Sequence, residues 1–242
     1  MFSLKDKTAL ITGSTQGLGF AMAKALSEQG AKVFVHGAKN MEKCKNASAQ
    51  IANSIPLCAD LSEKDAVQKI YAQTGDVDIV IANASVQYRK SWDEIDEEEL
   101  ETQIAVNFKS TLKLFQLYAP HMKEQGFGRL ITIGSVQQYK PHKDMLVYAA
   151  TKAAQMNMVT NLAKQLAPFG ITVNNIAPGV FATPRNDDAL ADAEYAKKVL
   201  AGIPVGYAGK TEDISGAAVL LCSEAGRYIT GIDLVVDGGM KL

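Results

Sequence analysis

The chain has 242 residues, and 47% of them are hydrophobic, which is enough for a large buried core and excludes a disordered or fibrous protein. Its 25 basic and 26 acidic residues leave a formal charge of −1, so no long-range field draws it toward nucleic acid or anionic lipid. The three cysteines lack the spacing of a disulfide framework or a zinc site, and we expect no metal. A charged N-terminus and the lack of a membrane-length apolar run predict a cytoplasmic protein.

Short apolar runs alternate with longer helical patterns along the chain. These runs predict seven strands, at residues 8–12, 32–36, 55–59, 77–82, 129–134, 171–176 and 232–236. The fourth and fifth runs do not alternate between apolar and polar residues, which is typical of parallel strands covered by helices on both faces. We therefore predict an α/β fold, a single doubly wound domain spanning residues 1–242.

Helix boundaries are suggested by residues that commonly begin or end helices. Gly30 is expected to end the first helix, and Ser62 is expected to cap a helix that runs to about residue 73. Pro168 and Gly170 should stop the long helix that begins near Tyr148. The acidic run at 93–101 is interpreted as a solvated helix start, where negative charge is favoured by the helix dipole.

The first predicted strand leads into a glycine turn with the spacing G-x-x-x-G-x-G. A dinucleotide pyrophosphate needs a close backbone approach and free N–H groups at a helix start, and this turn can provide both. The residues expected to contact it are Gly13, Thr15, Gln16, Gly17, Leu18 and Gly19. Viewed alone, the turn could equally be an ordinary tight connection between a strand and a helix.

Polar residues follow the third and fourth predicted strands. Asp60 with Leu61, and Asn83 with Ala84, lie at strand carboxyl ends, where open α/β sheets bind their ligands. They are candidate cofactor contacts, and the alternative is that they simply form turns.

Tyr148 and Lys152 are four residues apart, which places them on the same face of a helix. A tyrosine hydroxyl is a poor proton donor at neutral pH, and a partly desolvated lysine beside it would favour the phenolate. Ser135 follows the fifth strand, and its hydroxyl could donate to a carbonyl oxygen at the same sheet edge. The alternative for the pair is an amphipathic helix face on which both residues fall by chance.

Together these motifs resemble the short-chain dehydrogenase/reductase family over essentially the whole chain. The resemblance implies a Rossmann fold and a catalytic tetrad of Asn107, Ser135, Tyr148 and Lys152. It implies that Tyr148 is the general acid or base, that Ser135 polarises the substrate carbonyl, and that Lys152 holds the nicotinamide ribose and acidifies the tyrosine. Asn107 would position a water in a proton relay to Lys152. The loop that the resemblance places beside the nicotinamide contributes Pro178, Gly179, Val180 and Thr183.

The residues after the second strand bear on the choice of cofactor. NAD usually requires an acid there, and this chain has none before Glu42. A 2′-phosphate would instead meet Lys39, with His36 as a further candidate, so NADP(H) is favoured and NAD(H) stays open. Another departure is Ser85, which stands where the family's Asn-Asn-Ala-Gly element has its glycine.

The substrate is predicted only by class. Residues 184–207 are interpreted as a substrate lid, and polar residues around the mouth suggest a polar or anionic carbonyl compound or secondary alcohol. The motifs do not separate 3-oxoacyl-thioester reductases from sugar or sugar-acid dehydrogenases. The resemblance also implies a homotetramer, and we expect neither nucleic-acid nor membrane partners.

Two alternatives from other classes remain at this stage. One is a catalytically silent dinucleotide sensor or scaffold, against which the complete tetrad argues. The other is an epimerase or dehydratase of the extended relatives, for whose additional substrate domain 242 residues leave little room.

Overall fold

The computed structural model describes residues 1–186 and 191–242. At the centre of this described part is a sheet of seven strands: β1 (Thr8–Ile11), β2 (Lys32–Gly37), β3 (Ser54–Cys58), β4 (Ile79–Ala82), β5 (Gly128–Ile133), β6 (Ile171–Pro178) and β7 (Asp233–Val236). Their order is β3-β2-β1-β4-β5-β6-β7, and all neighbouring strands are parallel. The seven strands predicted from the sequence are confirmed, each end within two residues.

Helices connect the strands and cover the sheet. They are α1 (Gly17–Glu28), α2 (Met41–Ser48), α3 (Ala66–Thr74), α4 (Glu97–Ile104), α5 (Ser110–Gln125), α6 (Leu146–Leu166), α7 (Ala193–Ala201) and α8 (Ser215–Cys222). A π-helical turn, Ala105–Lys109, joins α4 to α5. This alternation of parallel strands and helices confirms the predicted doubly wound α/β fold of the Rossmann type.

The core is divided by the sheet into two hydrophobic layers. Leu10 and Val80 contribute to one layer, whereas Ile11 and Ile81 contribute to the other, and all four are fully buried. Successive strand residues point to opposite faces, so both faces must be apolar when helices cover both. This explains why the sequence of these strands is an unbroken apolar run.

Most helix boundaries agree with the sequence, and one prediction was wrong. Asp96 caps α4 by accepting the backbone N–H of Glu99 at 2.9 Å, as expected for a helix start within the acidic run. Ser62 does not cap α3, which begins later, at Ala66. Its hydroxyl instead donates to the Asp60 carboxylate at 2.8 Å, because a short polar side chain can bond to a neighbour in the turn as readily as to a helix end.

The strand order places a switch point between β1 and β4. From β1 the chain proceeds outward to β3 and then returns to β4 on the other side of β1, so the two connections leave in opposite directions. A crevice therefore opens at the carboxyl ends of these strands, where ligands of doubly wound sheets bind. Of the predicted lid at 184–207, residues 187–190 lie outside the described residues, and the rest includes α7. Among the described residues, no helix combines the length and apolarity that crossing a bilayer requires.

Candidate active site

The glycine turn lies between β1 and α1 and comes very close to the end of β4. Gly13 and Gly17 have φ angles of 64° and 59°, in the left-handed region that glycine adopts readily. A Cβ on Gly19 would lie 2.5 Å from both the Asn83 side-chain nitrogen and the Gly13 carbonyl oxygen. Only glycine fits there, and the turn presents bare backbone to the crevice.

Thr12 and Asn83 join this turn to the segment after β4. The Thr12 hydroxyl oxygen accepts the backbone N–H groups of Asn83 at 3.1 Å and Ala84 at 3.0 Å. In return, the Asn83 amide donates to the carbonyl oxygens of Thr12 and Gly13, at 2.8 and 3.0 Å. The amide of Asn83 is therefore committed to holding the turn in place.

His36, at the end of β2, supports the turn from beneath. Its Nδ1 accepts the N–H of Gly13 at 3.1 Å, so its Nε2 carries the proton and donates to the Ala59 carbonyl at 2.9 Å. Burial lowers the pKa of His36 to about 4, which leaves the ring neutral at pH 7. Both ring nitrogens of His36 are therefore hydrogen-bonded to the backbone, and the neutral ring supplies no positive charge for a phosphate.

A cleft of about 750 Å³ extends from the glycine turn across the ends of β4, β5 and β6. The predicted site residues that line it are Gly13, Thr15, Gln16, Gly17, Leu18, Gly19, Asp60, Leu61, Asn83, Ala84, Ser135, Tyr148, Lys152, Pro178, Gly179, Val180 and Thr183. Asn107 and Lys39 are not among the described residues that line the cleft. Residues from six separate segments of the sequence thus meet in one cavity.

Lys152 lies at the base of the cleft and is almost completely buried, with 1% of its surface exposed. Its ammonium donates to the Ile133 carbonyl oxygen at 2.6 Å and to the Gln155 side-chain oxygen at 3.2 Å. Burial, and to a smaller extent the nearby positive charge of Arg185, together lower the Lys152 pKa to about 7. The amine therefore gives up its proton far more readily than an exposed lysine does.

Tyr148 and Ser135 lie beside Lys152 in the same cavity. The Lys152 nitrogen is 5.5 Å from the centre of the Tyr148 ring, as their spacing on α6 predicts. Ser135 follows β5, and its hydroxyl oxygen accepts the Gln137 backbone N–H at 3.2 Å, which leaves the hydroxyl proton available to a ligand. A phenol, a hydroxyl and a buried amine thus face one cavity, an arrangement able to exchange a proton with a bound oxygen atom.

Asn107 lies behind these residues, in the π-helical turn. Its side-chain oxygen accepts the Val86 N–H and its nitrogen donates to the Val86 carbonyl, both at 2.9 Å. Its amide also donates to the Thr151 hydroxyl of α6 at 3.2 Å. Asn107 therefore fixes the segment after β4 against α6, next to Tyr148 and Lys152.

The two lysines near the end of β2 have different surroundings. Lys39 is largely exposed and pairs with Asp60 at 3.2 Å. Hydrogen bonds from Ser62 and this pairing outweigh partial burial and lower the pKa of the Asp60 carboxyl. Lys43, in the first turn of α2, lines the cleft and donates to the Gln16 side chain of the glycine turn. Lys43 is thus the lysine that reaches the cavity from this side.

The cleft lining is basic although the whole chain is nearly neutral. The cationic residues around it are Lys43, Arg89, Lys140, Lys152, Arg185 and Lys198, and the described lining contains a single acid, Asp60, which Lys39 already pairs. Arg185 also spans the mouth, where it donates to the Ser85 carbonyl at 2.8 Å and to the Ser85 hydroxyl at 3.0 Å. Anionic ligands are favoured in such a cavity.

Sequence reasoning missed three residues that build this site. Thr12 was seen as part of the glycine motif without a role of its own, and Lys43 was passed over for Lys39, which is closer to the strand. Gln155 carried no signal at all, because its partner Asn107 is 48 positions away in the sequence. The signal that could have indicated Lys43 is its position, because it is a second lysine four residues after Lys39, in the first turn of α2.

Comparisons with known proteins agree with this geometry. A family model described as enoyl-(acyl carrier protein) reductase matches residues 13–241. The chain is 32% identical to a gluconate 5-dehydrogenase of Gluconobacter oxydans, with 100% of this chain and 97% of the relative covered.

Solved structures share both the fold and its full extent. A 3-oxoacyl (acyl-carrier-protein) reductase from Agrobacterium tumefaciens with NADP bound superposes with a TM-score of 0.93 at 34% identity, covering 98% of this chain and 95% of that one. A structure described as a short chain dehydrogenase/reductase family protein gives 0.92 at 30% identity, covering 98% of each chain. The chain therefore belongs to the short-chain dehydrogenase/reductase family of oxidoreductases.

Proposed function

We propose that this protein is an NADP(H)-dependent oxidoreductase that interconverts a carbonyl compound and a secondary alcohol, with Tyr148 as the general acid or base. The observation that carries the proposal is the buried Lys152 amine, 5.5 Å from the Tyr148 ring and in one cavity with Ser135 and the glycine turn. No separate observation favours a silent sensor, because the three groups needed for proton exchange face the same cavity.

The residues of the cleft fit a nicotinamide dinucleotide. The glycine turn would hold the pyrophosphate, because Gly13 and Gly19 leave no room for a Cβ and because the first N–H groups of α1, which begins at Gly17, have no partner within the helix. Asp60, Leu61, Asn83 and Ala84 would line the adenosine side, and residues 178–183 the nicotinamide side. When bound, the dinucleotide supplies or accepts a hydride.

The protein's own contribution is to orient the substrate and to move a proton. In the reduction direction Tyr148 would donate its hydroxyl proton to the substrate oxygen, and in oxidation the phenolate would take the proton back. A protonated Lys152 favours the phenolate, since opposite charges attract strongly in a water-poor cavity. Ser135 would donate its hydroxyl proton to the same substrate oxygen and so polarise the carbonyl.

We propose a substrate that is polar or anionic. The described lining offers Arg89, Lys140, Arg185 and Lys198 on the substrate side of the cleft. The relative named gluconate 5-dehydrogenase carries in its name a sugar acid, and the NADP-bound relative an acyl thioester, so both classes belong in a substrate screen.

The experiment is a panel of keto acids, keto sugars and 3-oxoacyl thioesters, with NADPH consumption followed by absorbance. Wild type should turn over at least one member, and Tyr148→Phe should bind NADPH normally while kcat falls by about a hundredfold or more. If the protein binds NADPH but turns over no compound of the panel in either direction, the result would favour the alternative hypothesis of a catalytically silent dinucleotide sensor. Unchanged turnover by Tyr148→Phe would remove Tyr148 from its proposed role.

Cofactor preference can be tested by comparing the two lysines near β2. We propose that Lys43 contacts the 2′-phosphate, because it lines the cleft beside Gln16, whereas Lys39 is engaged by Asp60. Lys43→Ala should lower kcat/KM for NADPH by about ten- to a hundredfold and leave that for NADH nearly unchanged, since a charged contact is worth about 1.5–3 kcal/mol. Lys39→Ala is the matched control. The sequence-based assignment to Lys39 would be favoured if the two variants exchanged these effects.

We also propose a homotetramer in which α6 pairs across a two-fold axis. The support is the outward face of α6, where Leu146 is 54% exposed and the small residues Ala150 and Ala153 are exposed as well. Small side chains allow two helices to approach closely. The cytoplasmic location stays a prediction from the sequence.

A further inference from the structure

Gln155 is a fully buried amide on α6 that lies one helical turn beyond Lys152 and two turns beyond Tyr148. Its side-chain nitrogen donates to the Asn107 carbonyl oxygen at 2.6 Å and to the Thr111 hydroxyl at 3.1 Å. Its side-chain oxygen accepts the Lys152 ammonium at 3.2 Å. The amide thus uses both donors and its acceptor to connect three groups.

The far end of this connection is rigid. The Asn107 side chain forms a pair of hydrogen bonds with the Val86 backbone, so the π-helical turn is fixed to the segment after β4. The Asn107 carbonyl also accepts the Thr111 hydroxyl at 3.3 Å. The Asn107 carbonyl oxygen is thus bound by two side-chain donors, one from α5 and one from α6.

We propose that Gln155 is a positioning residue that links the Lys152 ammonium directly to the Asn107 backbone carbonyl and so sets the direction from which Lys152 can exchange protons. This inference rests on the proposed function of Tyr148 and Lys152. The family resemblance implies that a water held by Asn107 connects Asn107 to Lys152. In this arrangement the Gln155 amide makes that connection instead.

The hydrogen bonds of the Lys152 ammonium determine on which side this group can exchange protons. Of the three ammonium hydrogens, one is directed to Ile133 and one to Gln155, and the described residues offer no further acceptor for the third. A carboxamide neither gives up nor takes up a proton at neutral pH, so the Gln155 side cannot pass protons onward. Lys152 therefore exchanges protons only on the side of the cleft.

Because few charged or polar side chains surround Lys152, we expect replacement of Gln155 to change the pKa of the Lys152 amine more than replacement of any of the other neighbours. The charged or titratable side chains near it in the described structure are Tyr148, on the same helix, and Arg185, from the segment after β6. The partners from β5 and from the π-helical turn are uncharged: the Ile133 carbonyl and the Asn107 peptide. Of the two acceptors that the described residues offer the amine, the Ile133 carbonyl belongs to the backbone, so a side-chain substitution can remove only the Gln155 oxygen.

The test measures the protonation of Lys152 in the free protein, which needs no substrate. Lysine carrying ¹³C at Cε is titrated by NMR, and the Lys152 signal is assigned by its loss in Lys152→Arg. Gln155→Met, which keeps the volume but removes the acceptor, should lower the Lys152 pKa by about one unit. Gln155→Glu, which places an anion there, should raise it by about one unit or more.

A substitution that merely loosens packing would not move the Lys152 pKa in opposite directions in these two variants. Gln103→Met is the matched control, because Gln103 is a second buried glutamine, in α4, and lies outside this link. It should leave the Lys152 titration unchanged. Should Gln155→Met fail to fold, Gln155→Glu still decides the question by the sign of its shift.

Activity provides the second readout and separates the two proposals. With a substrate identified from the panel, Gln155→Met should lower kcat about tenfold with little change in KM and should displace the alcohol-oxidation profile toward higher pH, because a less protonated Lys152 favours the phenolate less. If Lys152 titrates identically in wild type, Gln155→Met and Gln155→Glu, the link is overturned even when wild type is active. If the shifts occur and no substrate is turned over, the proposed function fails and the link stands.

Discussion

His36 shows how a single buried side chain can shape a cofactor-binding turn. Its ring joins the Gly13 N–H to the Ala59 carbonyl, so it fixes the glycine turn relative to the end of β3. Both bonds require the neutral tautomer with the proton on Nε2. Protonation would remove the acceptor for Gly13 and place a charge in the core that the nearby Asp60 carboxylate compensates only in part.

The stability of the protein should therefore depend on pH through His36. Its pKa is about 4 in the fold and 6.5 in the unfolded chain, so between these values the unfolded chain binds the additional proton. The contribution is complete above pH 6.5 and decreases as pH falls toward 4, by roughly 3 kcal/mol in total. Urea unfolding at pH 7 and at pH 4.5 measures it.

The matched variant is His36→Asn, whose side-chain oxygen can still accept the Gly13 N–H and does not titrate. It should be less stable than wild type at pH 7, because the bond to Ala59 is lost, and its stability should change less between the two pH values. An equal pH dependence in both proteins would show that His36 is not the titrating group.

At the scale of elements, the connection between β1 and α1 depends on how closely α1 approaches β4. Gly19→Ala should reduce NADPH affinity at least tenfold and destabilise the fold by about 1–3 kcal/mol, because the added methyl group would overlap the Asn83 amide and the Gly13 carbonyl. Gly216→Ala is the control: this glycine lies in α8 with nothing within 4 Å of a new Cβ.

The control should be stabilised by about 0.5–1 kcal/mol, since alanine favours a helix more than glycine does. Thermal unfolding and NADPH titration of the two variants provide both readouts. Equal NADPH affinity in Gly19→Ala and wild type would mean that the turn moves freely away from Asn83, contrary to the close contact described above.

The elements also show which information is local in the sequence. The strands were predictable because an apolar run buried on both faces, such as β4, has few other solutions. Ser62 misled because its hydroxyl had two nearby uses, a helix cap or the Asp60 carboxylate, and the residues alone do not decide between them. The spacing of Tyr148 and Lys152 was informative because one helix turn determines their proximity.

Other parts of the site depend on contacts between distant segments. Gln155 contacts Asn107 because α6 packs on the π-helical turn, and no local sequence pattern predicts such a turn. Lys43 was missed for a related reason: the choice between Lys39 and Lys43 depends on which of them Asp60 pairs, and Asp60 belongs to a different strand connection. Side-chain pairing across the sheet edge thus sets the finer chemistry of the site.

At the scale of the whole molecule, basic and acidic residues are nearly equal in number but are concentrated in different places. The chain carries a formal charge of −1, and yet its described cleft lining is strongly basic. Acidic residues are concentrated elsewhere, for example in the first turn of α4, where the negative charges of Glu97, Glu98 and Glu99 interact favourably with the helix dipole. The positive potential is therefore local to the cleft, which suits anionic ligands and disfavours nonspecific binding of polyanions.

The proposed tetramer would connect this site to the outer face of α6. That helix carries Tyr148 and Lys152 on its buried face, whereas Ala150 and Ala153 are exposed on the other, so a partner helix packed there would support these two residues from behind. Ala153→Glu should disrupt this pairing, because a carboxylate buried at a close helix contact would repel its symmetry mate. Light scattering at micromolar concentration should show a tetramer for wild type and a smaller species for Ala153→Glu.

Asn46→Glu supplies the control, since it adds the same charge to an exposed position on α2 and should leave the mass unchanged. The dimeric or monomeric variant should also lose stability and activity, because the outward face of α6 would lose the helix packed against it. A wild-type mass equal to one chain would exclude the tetramer. A tetramer that persists in Ala153→Glu would move the interface to another face of the molecule, leaving the α6 site without a brace from a second subunit.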